Sequence, residues 1–259
     1  MQDLTITLVQ TELAWHDARE NLERFDGIIR TIDGPVDCIL LPEMFSTGFT
    51  MRPEELAEGM DGSAVACLRR WADQSGADVA GSLIVNEDGR YYNRLVWARP
   101  GGDLVTYDKR HLFRMAGEDG VYSAGRDTAT IDIRGWKVRP FICYDLRFPV
   151  WTRNGGLAYD VAVFVANWPA QRSLHWKTLL RARAIENQCY VVGVNRIGTD
   201  GNGVSYSGDS CVIDFTGNLP VDMGDSRGVR TAVLSHERLR EYRESFPAWK
   251  DADAYDLEP

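Results

Sequence analysis

The sequence predicts a mixed α/β protein, in which helices lie outside a sheet system of parallel and antiparallel strands. Strands alternate with helices near the N-terminus and again between residues 161 and 194, as in parallel sheets covered by helices. Turn-rich segments between extended runs predict hairpins in the middle and near the end of the chain. The order strand, helix, strand, hairpins therefore occurs twice, although no sequence repeat of fixed period is present.

Two β-α steps are predicted first. Residues 4–10 alternate apolar and polar side chains as a strand does, and Asp17 can cap the helix that follows. The apolar side chains of this helix recur at helical spacing: Leu22, Phe25, Ile29 and Ile32. Residues 38–41 form a short apolar run, which predicts a strand covered on both faces. A second helix carries Ala64, Cys67, Leu68 and Trp71 on one face and ends at Gly76 as a C-terminal cap.

Hairpins are predicted in the middle of the chain. Turn-rich segments at residues 86–90 and 100–103 separate extended runs. After a polar loop at residues 113–127, two further strands are expected at residues 128–133 and 137–143. The chain thus changes from β-α steps to antiparallel pairs.

The β-α order then returns with a buried strand at residues 161–165, a helix at 174–187 and a strand at 190–194. The side chains expected to face inward from this helix are Leu179, Ala182 and Ile185. The C-terminal part is predicted to add a hairpin at 200–203, strands at 210–215 and 230–234, and a short helix from His236.

Length and composition favour one soluble domain over residues 1–259. The 259-residue chain is 44% hydrophobic and 26% charged, with no Ser/Pro-rich linker, so it can bury a large core. Its formal charge of -9 opposes attraction to phosphate backbones, and no basic stripe is interleaved with aromatic residues. Nucleic acid is therefore not expected as a partner.

The sequence favours a reducing cytoplasm. The N-terminus reads as a strand rather than a signal peptide, and no apolar run approaches bilayer length, so no membrane association is expected. The cysteine count is odd, without metal-ligand spacing or a disulfide-dense pattern. The five are Cys38, Cys67, Cys143, Cys189 and Cys211.

Three reactive side chains come directly after predicted strands: Glu43, Lys109 and Cys143. Ligands bind at such positions in α/β sheets. A thiol, a carboxylate and an ammonium in one cleft would suit acyl transfer. The thiol would be the nucleophile, the carboxylate the proton acceptor, and the ammonium a stabiliser of negative charge.

Each of these residues also has a structural interpretation. Cys143 can be a buried packing residue, Glu43 a solvated residue after a proline, and Lys109 an ordinary surface cation. The four histidines lie in unrelated contexts. His111 nevertheless remains an alternative base for Cys143, as in a Cys-His pair.

Four ordered motifs resemble those of the nitrilase (carbon-nitrogen hydrolase) superfamily. They are LLPEMFSTGF, YDKRHLF, MAGEDGVYSAG and FICYDLRFPVW. The resemblance extends through VFVANWP, HWKTLLRARAIENQCYVVGVNR and YSGDSCVID, and so covers nearly the full chain. Within the superfamily, CYDLRFPVW, ANWPAQR and REYRESFPAWKDAD look most like the bacterial omega-amidase branch, whose members hydrolyse the side-chain amide of 2-oxo acids.

The resemblance implies a role for each matching residue. Cys143 would be the nucleophile, Glu43 the general base and Lys109 the transition-state stabiliser. Glu118 would orient the substrate amide and the lysine, although it can also be an exposed loop carboxylate. The backbone N–H of Tyr144 would complete the oxyanion site, and no metal or organic cofactor would be required.

Substrate recognition is expected near Trp168, which would wall the pocket. Arg147 or Arg172 would pair with a substrate carboxylate, with a structural salt bridge as the alternative for each.

The resemblance further implies a four-layer αββα sandwich with two mixed sheets face to face, usually assembled into a homo-oligomer. The small-molecule substrate would be a 2-oxo acid monoamide such as 2-oxoglutaramate or 2-oxosuccinamate. The alternatives are an N-carbamoyl amino acid amidohydrolase, an aliphatic amidase, or a non-catalytic binding protein of the same fold.

Overall fold

Two six-stranded sheets form the centre of the computed structural model, which describes residues 2–256. The strands are β1 (Leu4–Gln10), β2 (Cys38–Leu40), β3 (Asp78–Glu87), β4 (Arg90–Ala98), β5 (Leu104–Asp108), β6 (Ile131–Ile133), β7 (Trp136–Ile142), β8 (Val161–Ala166), β9 (Tyr190–Asn195), β10 (Ile197–Thr199), β11 (Ser205–Ser207), β12 (Cys211–Ile213), β13 (Val221–Asp222) and β14 (Gly228–Leu234). The α-helices are α1 (Ala18–Ile29), α2 (Pro53–Leu56), α3 (Ser63–Ser75), α4 (Ser173–Asn187) and α5 (His236–Ser245).

Both sheets are mixed. The first has the order β14-β1-β2-β3-β4-β5, and the second the order β13-β12-β9-β8-β7-β6. Three central strands run parallel in each sheet, β1-β2-β3 and β7-β8-β9, and antiparallel neighbours flank them. Strands β10 and β11 form a separate hairpin. The predicted alternation of β-α steps and hairpins is confirmed.

The two sheets pack face to face around one apolar core. Leu40 and Trp97 from the first sheet join Ile142 and Val165 from the second in a single buried cluster. A second cluster lies between the first sheet and helices α1 and α3, and α4 packs on the second sheet through Trp176. The expected αββα sandwich is confirmed, since each sheet buries one face against the other sheet and one face under helices.

The predicted helix ends of the N-terminal half are also confirmed. The Asp17 carboxylate accepts a hydrogen bond from the Glu20 N–H at 2.9 Å and caps α1. Gly76 follows α3 with φ of 67°, the left-handed conformation that glycine adopts without strain.

Two local predictions are wrong. Strand β6 covers residues 131–133 rather than 128–133, because Pro140 of its partner β7 has no N–H with which to continue the ladder. Helix α4 turns Trp176, Leu180 and Ala184 inward, and leaves Ile185 46% exposed. The Trp176 indole fixes this orientation by donating a hydrogen bond to the Asp209 carbonyl at 2.9 Å.

Within residues 2–256, none of the helices combines the length and the hydrophobicity that crossing a bilayer demands.

Candidate active site

The four side chains singled out in the sequence lie together at one end of the sandwich. Glu43 follows β2, Lys109 follows β5, and Cys143 follows β7 in the other sheet. Glu118 comes from the loop between β5 and β6 and is fully buried, so the exposed-loop interpretation of this residue is wrong. Cys143 is half-buried, whereas the other four cysteines are buried.

Lys109 lies between the two carboxylates. Its Nζ is 2.9 Å from Glu43 Oε1 and 2.9 Å from both carboxylate oxygens of Glu118. The three side chains are at most 1% exposed, and a buried cation requires this kind of pairing. Two carboxyl groups and one ammonium are therefore held together with almost no exposure of their side chains.

Asn93, which the motif comparison did not identify, bridges the same two carboxylates. Its Nδ2 donates to Glu43 Oε1 at 2.8 Å and to Glu118 Oε1 at 3.4 Å. Its Oδ1 accepts a hydrogen bond from the Ser82 hydroxyl at 2.8 Å, which fixes the orientation of the amide. Ser82 in turn accepts from the Met44 N–H at 2.9 Å. Asn93 lies within a strand rather than after one, so a search of strand ends passes over it.

Asn167, at the end of β8, holds Glu43 from the other sheet. Its backbone N–H donates to Glu43 Oε2 at 2.7 Å, and its Nδ2 donates to the Glu43 carbonyl at 2.6 Å. The signal in the sequence was its place directly after a buried strand, the same signal that identified Glu43 and Cys143.

The backbone at Cys143 is strained, and hydrogen bonds to Asp145 stabilise it. Cys143 has φ of 44°, which L residues rarely adopt. Two residues on, the buried Asp145 carboxylate accepts hydrogen bonds from the Ile142 N–H at 3.0 Å and the Tyr107 hydroxyl at 2.7 Å. These contacts fix the turn that presents the thiol.

His111 belongs to this support and not to a Cys-His pair. Its backbone N–H and its Nδ1 lie 3.0 and 2.8 Å from Asp145 Oδ1, and its ring stacks on Phe148 at 3.7 Å. The carboxyl group of Glu43 lines the same cavity as Cys143. Burial first and Glu43 second raise the pKa of the Cys143 thiol.

The electrostatics keep the resting thiol protonated. Burial raises the pKa of Cys143 well above its ordinary value, and Glu43 adds to the rise while Lys109 opposes it. The pKa of Glu118 is raised, by burial first and by Glu43, against the effect of Lys109. Burial alone would lower the pKa of Lys109, but Glu118 and Glu43 outweigh it and the pKa is raised. The lysine is therefore charged, and ionising the thiol requires a proton acceptor.

A cavity of about 750 Å³ opens above these groups. Cys143, Lys109 and Glu43 line it, as do Tyr144 and the expected wall residue Trp168. The cavity exceeds the volume of a small amide.

Arg147 and Arg172 also line the cavity. The Arg147 guanidinium lies 4.8 Å from the centre of the Trp168 ring, and its Nη2 is 3.0 Å from His175 Nδ1. Arg172 lies over the Phe113 ring at 5.5 Å. Neither arginine forms an ion pair with a carboxylate of residues 2–256. The structural salt bridge considered for each is thus not formed with the described residues.

No cluster of three or more histidine, cysteine, aspartate or glutamate side chains suited to a metal ion occurs among the residues described. The ammonium of Lys109 is the cation nearest to both carboxylates.

The chain is similar in sequence to known carbon-nitrogen hydrolases. The carbon-nitrogen hydrolase family model matches residues 5–244. Omega-amidase YafV from Escherichia coli (strain K12) is 48% identical over 258 residues, 99% of this chain and 100% of the relative. The 2-oxoglutaramate amidase of Bacillus subtilis (strain 168) is 34% identical and aligns over 95% of this chain and 96% of its own.

Among solved structures, the CN-hydrolase superfamily protein XC1258 from Xanthomonas campestris superimposes with a TM-score of 0.97. It is 44% identical, and the match covers 100% of both chains. That structure carries an arsenic adduct in its active site.

Proposed function

The chain belongs to the carbon-nitrogen hydrolase family, and from this premise we propose that it is an omega-amidase acting through a cysteine thioester. Its substrates are 2-oxo dicarboxylic acid monoamides such as 2-oxoglutaramate and 2-oxosuccinamate, and its products are the 2-oxo acid and ammonia. The observation that carries the proposal is the hydrogen-bonded group of Glu43, Lys109 and Glu118 beside Cys143. Full-length similarity to amidases named for these reactions supports the substrate class.

The reaction begins with Cys143. Its sulfur attacks the amide carbonyl carbon while the thiol proton passes to Glu43, as the raised pKa of the thiol requires. Glu43 gives this proton to the amide nitrogen, the C–N bond breaks, and ammonia leaves behind a thioester. Glu43 then takes a proton from water, the hydroxide attacks the thioester, and the departing sulfur regains the proton.

Lys109 stabilises the oxyanion that forms in both halves of the reaction. Its charge is secured by the two carboxylates, and it lines the same cavity as Cys143. The backbone N–H of Tyr144 is assigned as the second donor, because it belongs to the residue that follows the nucleophile.

Arg147 and Arg172 are assigned to the substrate carboxylate. Both line the cavity, and neither has its charge neutralised by a carboxylate of residues 2–256. A guanidinium can bind a carboxylate through two parallel hydrogen bonds. Trp168 walls the pocket and carries Arg147 on its ring face.

The test is ammonia release from a substrate panel. We expect fast turnover of 2-oxoglutaramate and slow or no turnover of glutamine and of an N-carbamoyl amino acid. Cys143→Ala is expected to abolish release while leaving the circular dichroism spectrum unchanged. Turnover of the carbamoyl compound alone would refute the substrate class, and parental activity in Cys143→Ala would refute the nucleophile.

We further propose a cytoplasmic homo-oligomer. The resemblance to the nitrilase superfamily supports the assembly, and Leu174, 75% exposed, and Val150, 51% exposed, offer apolar surface for a contact between copies. Sedimentation velocity at micromolar concentration is expected to give at least twice the chain mass of 29.2 kDa. A monomer mass would contradict this.

A further inference from the structure

The carboxylates around Lys109 are already occupied by hydrogen-bond donors of the protein at nearly all of their acceptor positions. Glu43 Oε1 accepts from Lys109 and Asn93, and its Oε2 accepts from Asn167. Glu118 Oε1 accepts from Lys109 and Asn93. Glu118 Oε2 accepts from Lys109 and from the Phe113 N–H at 2.5 Å. Two carboxylates offer about eight lone-pair positions, and the protein itself occupies nearly all of them.

The remaining acceptor in this group is the side-chain oxygen of Asn167. Asn167 is 5% exposed and lines the cavity. Its Oδ1 is buried and has no hydrogen-bond partner within the part of the chain described. The Asn167 Nδ2 donates to the Glu43 carbonyl at 2.6 Å. Because a carbonyl oxygen only accepts, this contact identifies the nitrogen of the Asn167 side chain and therefore also its oxygen. A buried acceptor without a donor is costly and calls for a ligand that supplies one.

We propose that Asn167 Oδ1 accepts a hydrogen bond from the N–H₂ group of the substrate carboxamide. This makes Asn167 a catalytic residue that contacts the atom destined to leave as ammonia. The assignment deepens the proposed amidase function and rests on it. It also assigns recognition of the amide nitrogen to Asn167 at the end of β8 and not to Glu118, whose oxygens are occupied.

Asn167 is also expected to align the leaving group with the base. The same residue donates to Glu43 Oε2 through its backbone N–H and would accept from the amide nitrogen through Oδ1. The amide nitrogen is thereby held next to the carboxylate that must protonate it. An ester of the same acid has no N–H to donate, so it gains nothing from this acceptor.

The experiment compares an amide with the methyl ester of the same acyl group. Asn167→Ala is expected to lower kcat/KM for the amide at least about tenfold more than for the ester, because only the amide loses a partner. The matched control is Asn93→Ala, which also removes a donor to Glu43 but whose oxygen is already taken by Ser82. It is expected to slow both substrates and to leave their ratio unchanged.

A second measurement does not depend on turnover. In a Cys143→Ala background, calorimetry is expected to show that Asn167→Ala weakens binding of the amide about tenfold more than binding of the ester. Asn167→Ser changes the side-chain volume less than Asn167→Ala does, and it is also expected to weaken binding of the amide more than binding of the ester. Equal losses for amide and ester in these variants would overturn the inference.

The proposed substrate class is tested separately. If the parent protein hydrolyses another class of amide and no 2-oxo acid monoamide, the substrate assignment fails, while the same ratio measured with that amide still decides the role of Asn167.

Discussion

Glu118 is buried beside a second carboxyl group and one ammonium. It shares Lys109 with Glu43, and all three side chains are at most 1% exposed. A like charge and burial both disfavour a second ionised carboxylate. The Lys109 ammonium and the Asn93 amide compensate for this cost by donating hydrogen bonds to both carboxylates.

The pH dependence of activity follows from this group. Because the pKa of Glu118 is raised, its carboxyl takes up a proton while exposed glutamates are still ionised. Activity is therefore expected to fall, as pH is lowered, before it reaches the ordinary glutamate value of 4.5. Protonation removes the charge of one of the two partners of Lys109 in the free enzyme, and the loss is expected in kcat/KM because this quantity reports titrations of the free enzyme.

Glu118→Gln tests this account. The neutral amide leaves one carboxylate beside Lys109, so the acid limb of the residual activity should move to lower pH, and kcat/KM should fall about 10²-fold. Asp119→Asn, an exposed neighbour in the same loop, should change neither quantity. The account is contradicted if the acid limb of Glu118→Gln coincides with that of the parent.

The sequence predicted the residues that the proposed mechanism uses, which lie together in the structure, but not the residues that hydrogen-bond to them. Glu43, Lys109 and Cys143 could be found because each follows a strand, and Glu118 because of its motif. The contact of Asn93 with both carboxylates depends on the pairing of β3 with β4, which brings Ser82 opposite Leu95 and next to Asn93. Such contacts follow from strand register, which the local pattern of one strand does not specify.

At the scale of elements, hydrogen bonds connect the start of α4 to the segment that follows β11. Asp209, which has φ of 59°, accepts hydrogen bonds from the Ser173 and Ser207 hydroxyls at 2.8 and 2.7 Å, and pairs with Lys177 at 2.8 Å. Ser173 is the first residue of α4. One carboxylate therefore joins the helix to the segment between β11 and β12.

Asp209→Asn is expected to destabilise the protein by about 2 kcal/mol at neutral pH, because hydrogen bonds to a charged group are lost. Asparagine tolerates the left-handed backbone, so strain does not contribute. Burial raises the pKa of Asp209, but the bonds from Lys177, Ser207 and Ser173 outweigh it and the pKa is lowered. The stabilisation is thus present above the ordinary aspartate range and is lost as pH falls through the lowered value.

Urea denaturation at pH 7 and at pH 3 checks this expectation. The difference in unfolding free energy between Asp209→Asn and the parent should narrow at the lower pH. The exposed Asp225→Asn should differ from the parent by no more than about 0.5 kcal/mol. If the difference in unfolding free energy between Asp209→Asn and the parent were larger at pH 3 than at pH 7, the ionised Asp209 would not be stabilising the fold.

At the scale of the whole molecule, the sequence specified the order of elements better than their stacking. Continuous apolar runs such as residues 161–165 predicted strands covered on both faces, and they are fully buried. The same runs cannot show whether the second cover is a helix or another sheet, since both bury the same side chains. Only the family resemblance supplied the two stacked sheets.

The stacking predicts that the two halves of the molecule form one cooperative unit. Leu40 and Trp97 of the first sheet share one buried cluster with Ile142 and Val165 of the second. Glu43 comes from one sheet and Cys143 from the other, so the active site exists only while the sheets are joined. A single domain over residues 1–259 follows as a prediction: both sheets should unfold together.

Leu40→Ala tests that prediction, because Leu40 lies in the buried cluster that the two sheets share, and the cavity left there should cost about 3 kcal/mol. Urea unfolding followed by far-UV circular dichroism and by tryptophan fluorescence should give one coincident transition in parent and variant, shifted to lower urea in the variant. Phe246→Ala, at a side chain that is 58% exposed, should shift the midpoint little. Separate midpoints for the two probes would mean that the sheets unfold independently. Amidase activity should then be lost in the first transition, because Glu43 comes from one sheet and Cys143 from the other.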